Sequence, residues 1–303
     1  MNLTPYLNRP EYFFRPIQAF NRILKQDQEK VEKYNWVQLP WGCSIKVSTV
    51  GSEPVNLSLL HMGLYDLVVT ETLWRLLDAG ETAVDVGANI GYMTNIMAAK
   101  TGNTGKVYCF EPNPDIYSEL VANTNDWQSK FGFHHIKVEQ IALSNQSGNG
   151  LLSVPENSGE AKLVEYLEVK SEEQLNDKHP QTYQVNIKRL DEVIDKTIGV
   201  LKIDVEGHEL SVIQGASQLI IDHKIRDIVF EEHEGYPSPV SDFLETHGYT
   251  IFRLWKGFWK PILYRPNTVH FHPWEPPSYL ATLDEKRAKN RFEKIGWLSL
   301  MQH

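Results

Sequence analysis

Residues 82–112 read TAVDVGANIGYMTNIMAAKTGNTGKVYCFEP. The run from Thr82 to Val86 is short, apolar and rich in β-branched residues, as a strand covered on both faces requires. A glycine turn, a helical stretch and a second such run from Lys106 to Phe110 follow. The segment therefore predicts strand, turn, helix and adjacent parallel strand. Gly87 and Gly91 bracket the turn. Glycine takes positive φ and lets the backbone approach a ligand, while the free N–H groups of the following helix point back at the same spot. Glu111 falls at the tip of the second strand, where a carboxylate can accept hydrogen bonds from both hydroxyls of a ribose. Together these residues describe a nucleoside-binding crevice.

The turn itself chooses between cofactors. A dinucleotide site uses G-x-G-x-x-G, because a pyrophosphate must touch the backbone and the helix N-terminus. Here the pattern is Asp85-x-Gly87-x-x-x-Gly91, with a carboxylate near the end of the strand. An anionic turn repels a pyrophosphate but suits the amino group of a methionine moiety. The pattern points to S-adenosylmethionine and away from NAD.

The chain has 303 residues and a formal net charge of −9, which argues against a non-specific nucleic-acid binder, since neutralising phosphates needs clustered Lys and Arg. Cys43 and Cys109 are its two cysteines, too few for a disulfide framework, and they suggest a reducing compartment. No apolar run reaches the ~18 residues of a membrane span and no signal-peptide pattern opens the chain, so the cytoplasm is the expected location.

Alternating strand and helix patterns continue on both sides of the central segment. A helix is expected around Pro16 to Glu32, where Ile17, Phe20, Ile23 and Leu24 form an apolar stripe suited to packing on the domain or on a second copy in a homodimer. Gly63-Leu64-Tyr65-Asp66 precedes another helix and can fold over the cofactor as a lid. Strands are expected at His135 to Ala142, Val200 to Val205, Asp227 to Glu232, Gly248 to Leu254 and Val269 to Phe271, with a charged helix over 281–294. This spacing implies a doubly wound, Rossmann-like α/β fold, mostly parallel with helices on both faces. Residues 1–80 read as an N-terminal extension of helix and β-hairpin, 81–275 as the cofactor-binding domain and 276–303 as a helical tail.

VDVGANIGYMT at 84–94, FEPNP at 110–114, IALSNQSG at 141–148 and LKIDVEGHE at 201–209 occur in that order, with LPWG at 39–42 upstream. In these motifs the chain resembles the FkbM family of class I S-adenosylmethionine-dependent methyltransferases, over roughly residues 36–255. The resemblance implies a seven-stranded sheet with an antiparallel last strand and O-methylation of a hydroxyl on a sugar or natural product. It further implies that Asp85, Gly87, Asn89 and Gly91 hold the methionine end. Glu111, with Pro112 and Asn113 beside it, would hold the ribose, Ala142, Leu143 and Ser144 would border the adenine, and Tyr65 would close over the site. An N- or C-methyltransferase of the same fold, or a SAM-binding partner subunit without turnover, are the alternatives.

Methyl transfer to a hydroxyl needs the acceptor aligned with the sulfonium carbon and its proton removed. Asp204 ends the strand expected beside the first one, which puts it at the topological switch point, next to both the cofactor and the reaction. His208 is either a general base or a helix-start residue bonding a neighbour. Glu231, Glu232 and His233 end the fifth strand near the same rim, and Glu232 is taken as the second catalytic carboxylate. Their spacing matches no metal signature, so no metal is assigned. Lys202 shares a strand face with Asp204 and is expected to pair with a carboxylate. Trp255, Phe258, Trp259, Tyr264 and Trp274 either stack on an acceptor or cover a sheet edge, and Trp259 is the residue chosen for the first reading.

Overall fold

The computed structural model describes residues 8–24, 33–50, 53–154, 162–164, 181–268 and 277–301. Two short helices, α1 (Pro10–Phe14) and α2 (Pro16–Leu24), precede a hairpin of β1 (Tyr34–Gln38) and β2 (Ser44–Ser48). Helices α3 (Pro54–Met62) and α4 (Leu67–Leu76) follow. Asp66 caps α4 by accepting the Val69 N–H at 3.1 Å. The core then runs β3 (Thr82–Val86), α5 (Tyr92–Thr101), β4 (Lys106–Phe110), α6 (Pro114–Phe131) and β5 (Ile136–Glu139). A smaller sheet comes next, built from β6 (Ala142–Leu143), β7 (Gly148–Val154), β8 (Lys162–Val164) and β9 (Gln181–Lys188).

Helix α7 (Leu190–Val193) returns the chain to β10 (Ile198–Ile203), α8 (Glu209–Gly215), α9 (Ser217–Ile221) and β11 (Ile225–Glu231). The chain continues through α10 (Pro239–Thr246), the hairpin β12 (Thr250–Lys256) and β13 (Pro261–Tyr264), then β14 (Ser278–Thr282) and α11 (Glu285–Glu293). Ser238 caps α10 in a reciprocal box with Ser241, with proline at the first position.

The central sheet has the order β13-β12-β14-β11-β10-β3-β4-β5. Strands β11, β10, β3, β4 and β5 pair in parallel, while β14 runs antiparallel between β11 and β12. The fold is thus the Rossmann-like sheet expected, with β13 added as an eighth strand because β12 turns back on itself at Gly257. The proposed strand over 269–271 lies outside the described residues. β14 is the antiparallel strand, and it corrects the reading of 276–303 as a helical tail: a segment hydrogen-bonded on both sides in mid-sheet is part of the domain.

Pleating sorts the core into two layers. Ala83, Val107, Cys109, Val200, Val229 and Leu280 face the layer under α4 and α5. Val84, Val86, Phe110, Leu201, Ile203, Ile228 and Phe230 face the layer under α8 and α10. Of the expected stripe in α2, Ile17 is 70% and Phe20 61% exposed, so these two residues do not pack on the domain. The side chains of Ile23 and Leu24, and residues 25–32 of the expected helix, lie outside the described residues. Among the described residues, no helix is long and apolar enough to cross a membrane.

Candidate functional site

The chain reverses direction in the sheet between β3 and β10, which opens a crevice at the C-terminal ends of the parallel strands. The turn after β3 is held open from below. Gly87 has φ +73°, and a Cβ there would lie 1.8 Å from the Asp204 carbonyl oxygen, so only glycine lets β10 close against the turn. Gly91 serves packing rather than a ligand: a Cβ would meet Leu120 at 2.6 Å and Trp127 at 2.8 Å. Gly91 does not line the cavity.

Glu111 locks the turn from the neighbouring strand. It accepts the Asn89 N–H at 2.9 Å through one oxygen and the Asn113 N–H at 3.0 Å through the other. Each carboxylate oxygen keeps a second lone pair for a hydroxyl donor. Burial pushes this carboxyl up to about 7, against the pull of the two N–H donors.

A cavity of about 370 Å³ sits above these groups. Gly87, Asn89, Glu111, Pro112 and Asn113 line one wall; Phe110, Ile141, Ala142 and Leu143 form an apolar slot; Tyr65, Lys202, Asp204 and His208 complete it. Glu53, Pro54 and Val55 at the start of α3 also line it. They escaped the sequence reading because nothing local marks a helix start as a roof.

Asp85 is fully buried beneath the cavity rather than facing it. It accepts from the Thr94 hydroxyl at 2.6 Å and pairs with Lys202 at 3.2 Å. The expected ion pair of Lys202 is present, and it is double: the same ammonium lies 3.4 Å from Asp204 and donates to the Gly87 carbonyl at 3.0 Å. Burial opposes the Lys202 charge, but Asp85 and Asp204 outweigh it and hold the ammonium charged. The anionic turn inferred from Asp85 is therefore neutralised internally, and Lys202 beside Asp204 presents a cation and an anion to the cavity.

Ser144 does not line the cavity; its hydroxyl meets His208 Nε2 at 2.9 Å. His208 is thereby tied to the adenine-side wall. Glu232 also stays outside, accepting the Glu234 N–H at 3.2 Å while its own N–H donates to the Pro277 carbonyl. Strand alternation explains this: Glu231, two residues beyond Val229, shares the face of Lys202 and Asp204, and Glu232 is turned away.

A second cavity of about 610 Å³ adjoins the first, sharing Pro54, Tyr65, Asp204 and Glu206 as a common wall. Asp66, Glu231, His233, Arg253, Trp255 and Lys256 line it further out. Of the aromatic cluster expected after the sixth strand, Trp255 is the member among the described residues that lines this cavity. Trp259, 56% exposed, packs edge-on against Phe13 at 5.6 Å on the outer surface, and Trp274 lies outside the described residues. Among the described residues, no group of His, Cys, Asp or Glu is placed to hold a metal ion.

This donor set fits a nucleoside bearing an amino-acid tail. Glu111 answers a ribose diol, the slot from Phe110 to Leu143 an adenine, and the Lys202–Asp204 pair a zwitterion. Sheet order, glycine turn and acidic strand tip together define a Rossmann-like S-adenosylmethionine-dependent methyltransferase. The sequence pattern of the methyltransferase FkbM domain matches residues 85–251, and the chain belongs to that family. S-adenosylmethionine is its cofactor.

The chain is 30% identical over 208 residues to methyltransferase sdnD of Sordaria araneosa, covering 59% of this chain and 76% of that protein. It is 24% identical over 185 residues to methyltransferase 1 of Beauveria bassiana (strain ARSEF 2860), covering 55% and 72%. Among solved structures, a methyltransferase FkbM from Methylobacillus flagellatus KT matches with a TM-score of 0.44 and 16% identity. That match covers 69% of this chain and 47% of the other, so the chain spans about half of its length.

Proposed function

We propose that the protein is an O-methyltransferase whose acceptor, a sugar, glycolipid or secondary-metabolite hydroxyl, sits in the second cavity. One observation carries this reading: Tyr65, Asp204 and Glu206 line both cavities, so a group held in each would meet across that wall. The cofactor supplies an electrophilic methyl carbon on a sulfonium. The chain's own residues hold, orient and dehydrate. Glu111 and Asn113 fix the nucleoside end, Lys202 and Asp204 the amino-acid end, and Tyr65, carried on the capped turn before α4, closes the junction against water. Buried free cysteines at 43 and 109 support a cytoplasmic location. The exposed apolar patch of Phe13, Ile17, Phe20 and Trp259 is where a homodimer contact would be sought.

The test is transfer from S-adenosylmethionine with a labelled methyl to a panel of hydroxylated acceptors, followed by carbon NMR of the product. A methyl bonded to oxygen supports the proposal, and a methyl on nitrogen or carbon contradicts it. In the same assay Trp255→Ala should raise the acceptor KM about tenfold or more, as expected when an aromatic contact in a binding pocket is lost, and leave cofactor affinity unchanged.

A further inference from the structure

Glu231 is the one carboxylate of β11 that the pleat aims into the second cavity. Its strand register places it beside Asp204: Ile203 pairs with Phe230, and the next step along both strands brings Asp204 and Glu231 together at the rim. His233 Nε2 stands 3.9 Å from a Glu231 oxygen and 3.9 Å from a Glu206 oxygen, and its side chain is half exposed to solvent. His208, the other imidazole near the rim, is spent on Ser144 and lines only the cofactor cavity.

Resting on the proposed acceptor site, we infer that Glu231 is the catalytic base that takes the acceptor's hydroxyl proton, with His233 handing that proton on to solvent. In the reacting complex the acceptor O–H bond breaks and its proton goes to the Glu231 carboxylate. The oxygen's electron pair forms the new O–CH₃ bond while the C–S electron pair stays on sulfur.

The surroundings also set when Glu231 can act. Burial, then the Asp204 and Asp66 carboxylates, then Glu206, push its carboxyl well above the usual carboxylate range, with Lys202 pulling the other way. Without cofactor, Glu231 therefore holds a proton at neutral pH and is no base. A positive sulfonium brought to the Asp204 wall favours the ionised form and releases that proton. Methyl transfer removes the positive charge, so Glu231 keeps the proton it has just accepted until His233 takes it. The base becomes available only when the methyl donor is in place.

The experiment is calorimetric titration of S-adenosylmethionine into the full chain at pH 8, repeated in buffers of different ionisation enthalpy, which counts protons exchanged on binding. At that pH Glu111 is already mostly ionised, and comparing proteins cancels the ligand's own titration. The native protein should release about one proton more per cofactor than E231Q, and E231D should restore the release. S-adenosylhomocysteine, which lacks the sulfonium charge, should release less. Equal proton counts for native protein and E231Q overturn the inference. The Glu231 carboxyl resonance in ¹³C-labelled native protein gives a second reading that needs no altered site: its titration midpoint should fall when S-adenosylmethionine is added, and an unmoved midpoint overturns the inference as well. No acceptor is present in either measurement, so an error in the acceptor assignment leaves both results untouched, and failure here leaves O-methylation standing.

Discussion

Glu111 shows how far a single residue could be read in advance. Its place at a strand tip beyond a glycine turn is enough to assign it to a ribose. Its second task, pinning the Asn89 and Asn113 N–H groups, depends on loops folding back from two directions and has no local signature. That burial also makes it titrate in an accessible range. Between the ordinary 4.5 and about 7 the folded protein carries a proton on Glu111 that the unfolded chain has lost. Its contribution to stability therefore falls as pH rises through that window and levels off above it. Hydroxyl donors favour the ionised form, so the Glu111 share of cofactor affinity should rise as pH increases toward about 7, by at most about tenfold per unit, and then flatten, while proton release from Glu231 carries the remaining rise to higher pH. Calorimetry across pH checks this, and Glu111→Gln should bind weakly and lose the Glu111 part of the slope, leaving the part due to Glu231.

At the scale of the element, periodicity carried more information than the motifs. Lys202, Asp204, Val229 and Glu231 follow one rule, alternate residues on adjacent parallel strands facing one side, and that rule selects Glu231 over Glu232. The sequence contains the signal, but the strand-end cluster Glu231-Glu232-His233 hides it unless the register with β10 is known. Asp85 obeys the same geometry: a residue inside a strand points into a layer, and here the layer lies under α5, where Thr94 and Lys202 satisfy it. The two glycines of the turn separate by the same geometry. Gly87→Ala forces the β10 end away and should cut cofactor affinity strongly, since the Asp204 backbone must move. Gly91→Ala should act through stability, by about 1–3 kcal/mol, because it overpacks Leu120 and Trp127 at positive φ. Denaturant unfolding beside cofactor titration separates the two effects.

For the whole molecule, the C-terminal part is structural. β14 closes the sheet between β11 and β12, and the chain beyond it is clamped to α4 by a buried pair. Arg75 meets Glu71 at 2.6 Å and donates to the carbonyls of Arg291, Lys294 and Gly296, while Glu71 accepts the Leu298 and Ser299 N–H groups. Breaking one partner strands the other, so Arg75→Met should cost about 3–5 kcal/mol in unfolding free energy, and deletion from residue 277 onward should prevent a cooperative thermal transition. Composition could not reveal this, because a charged segment with one short apolar run, SYLAT, resembles a tail until its two neighbouring strands are seen. Two cavities meet at Asp204, and we propose one for the cofactor and the other for the acceptor. A crystal structure with S-adenosylhomocysteine tests it most directly. The ribose hydroxyls should lie on Glu111, the adenine between Phe110 and Leu143, and the sulfur at the wall of Tyr65 and Asp204, open to the second cavity. A ligand seated elsewhere, or a sulfur sealed from that cavity, would contradict it.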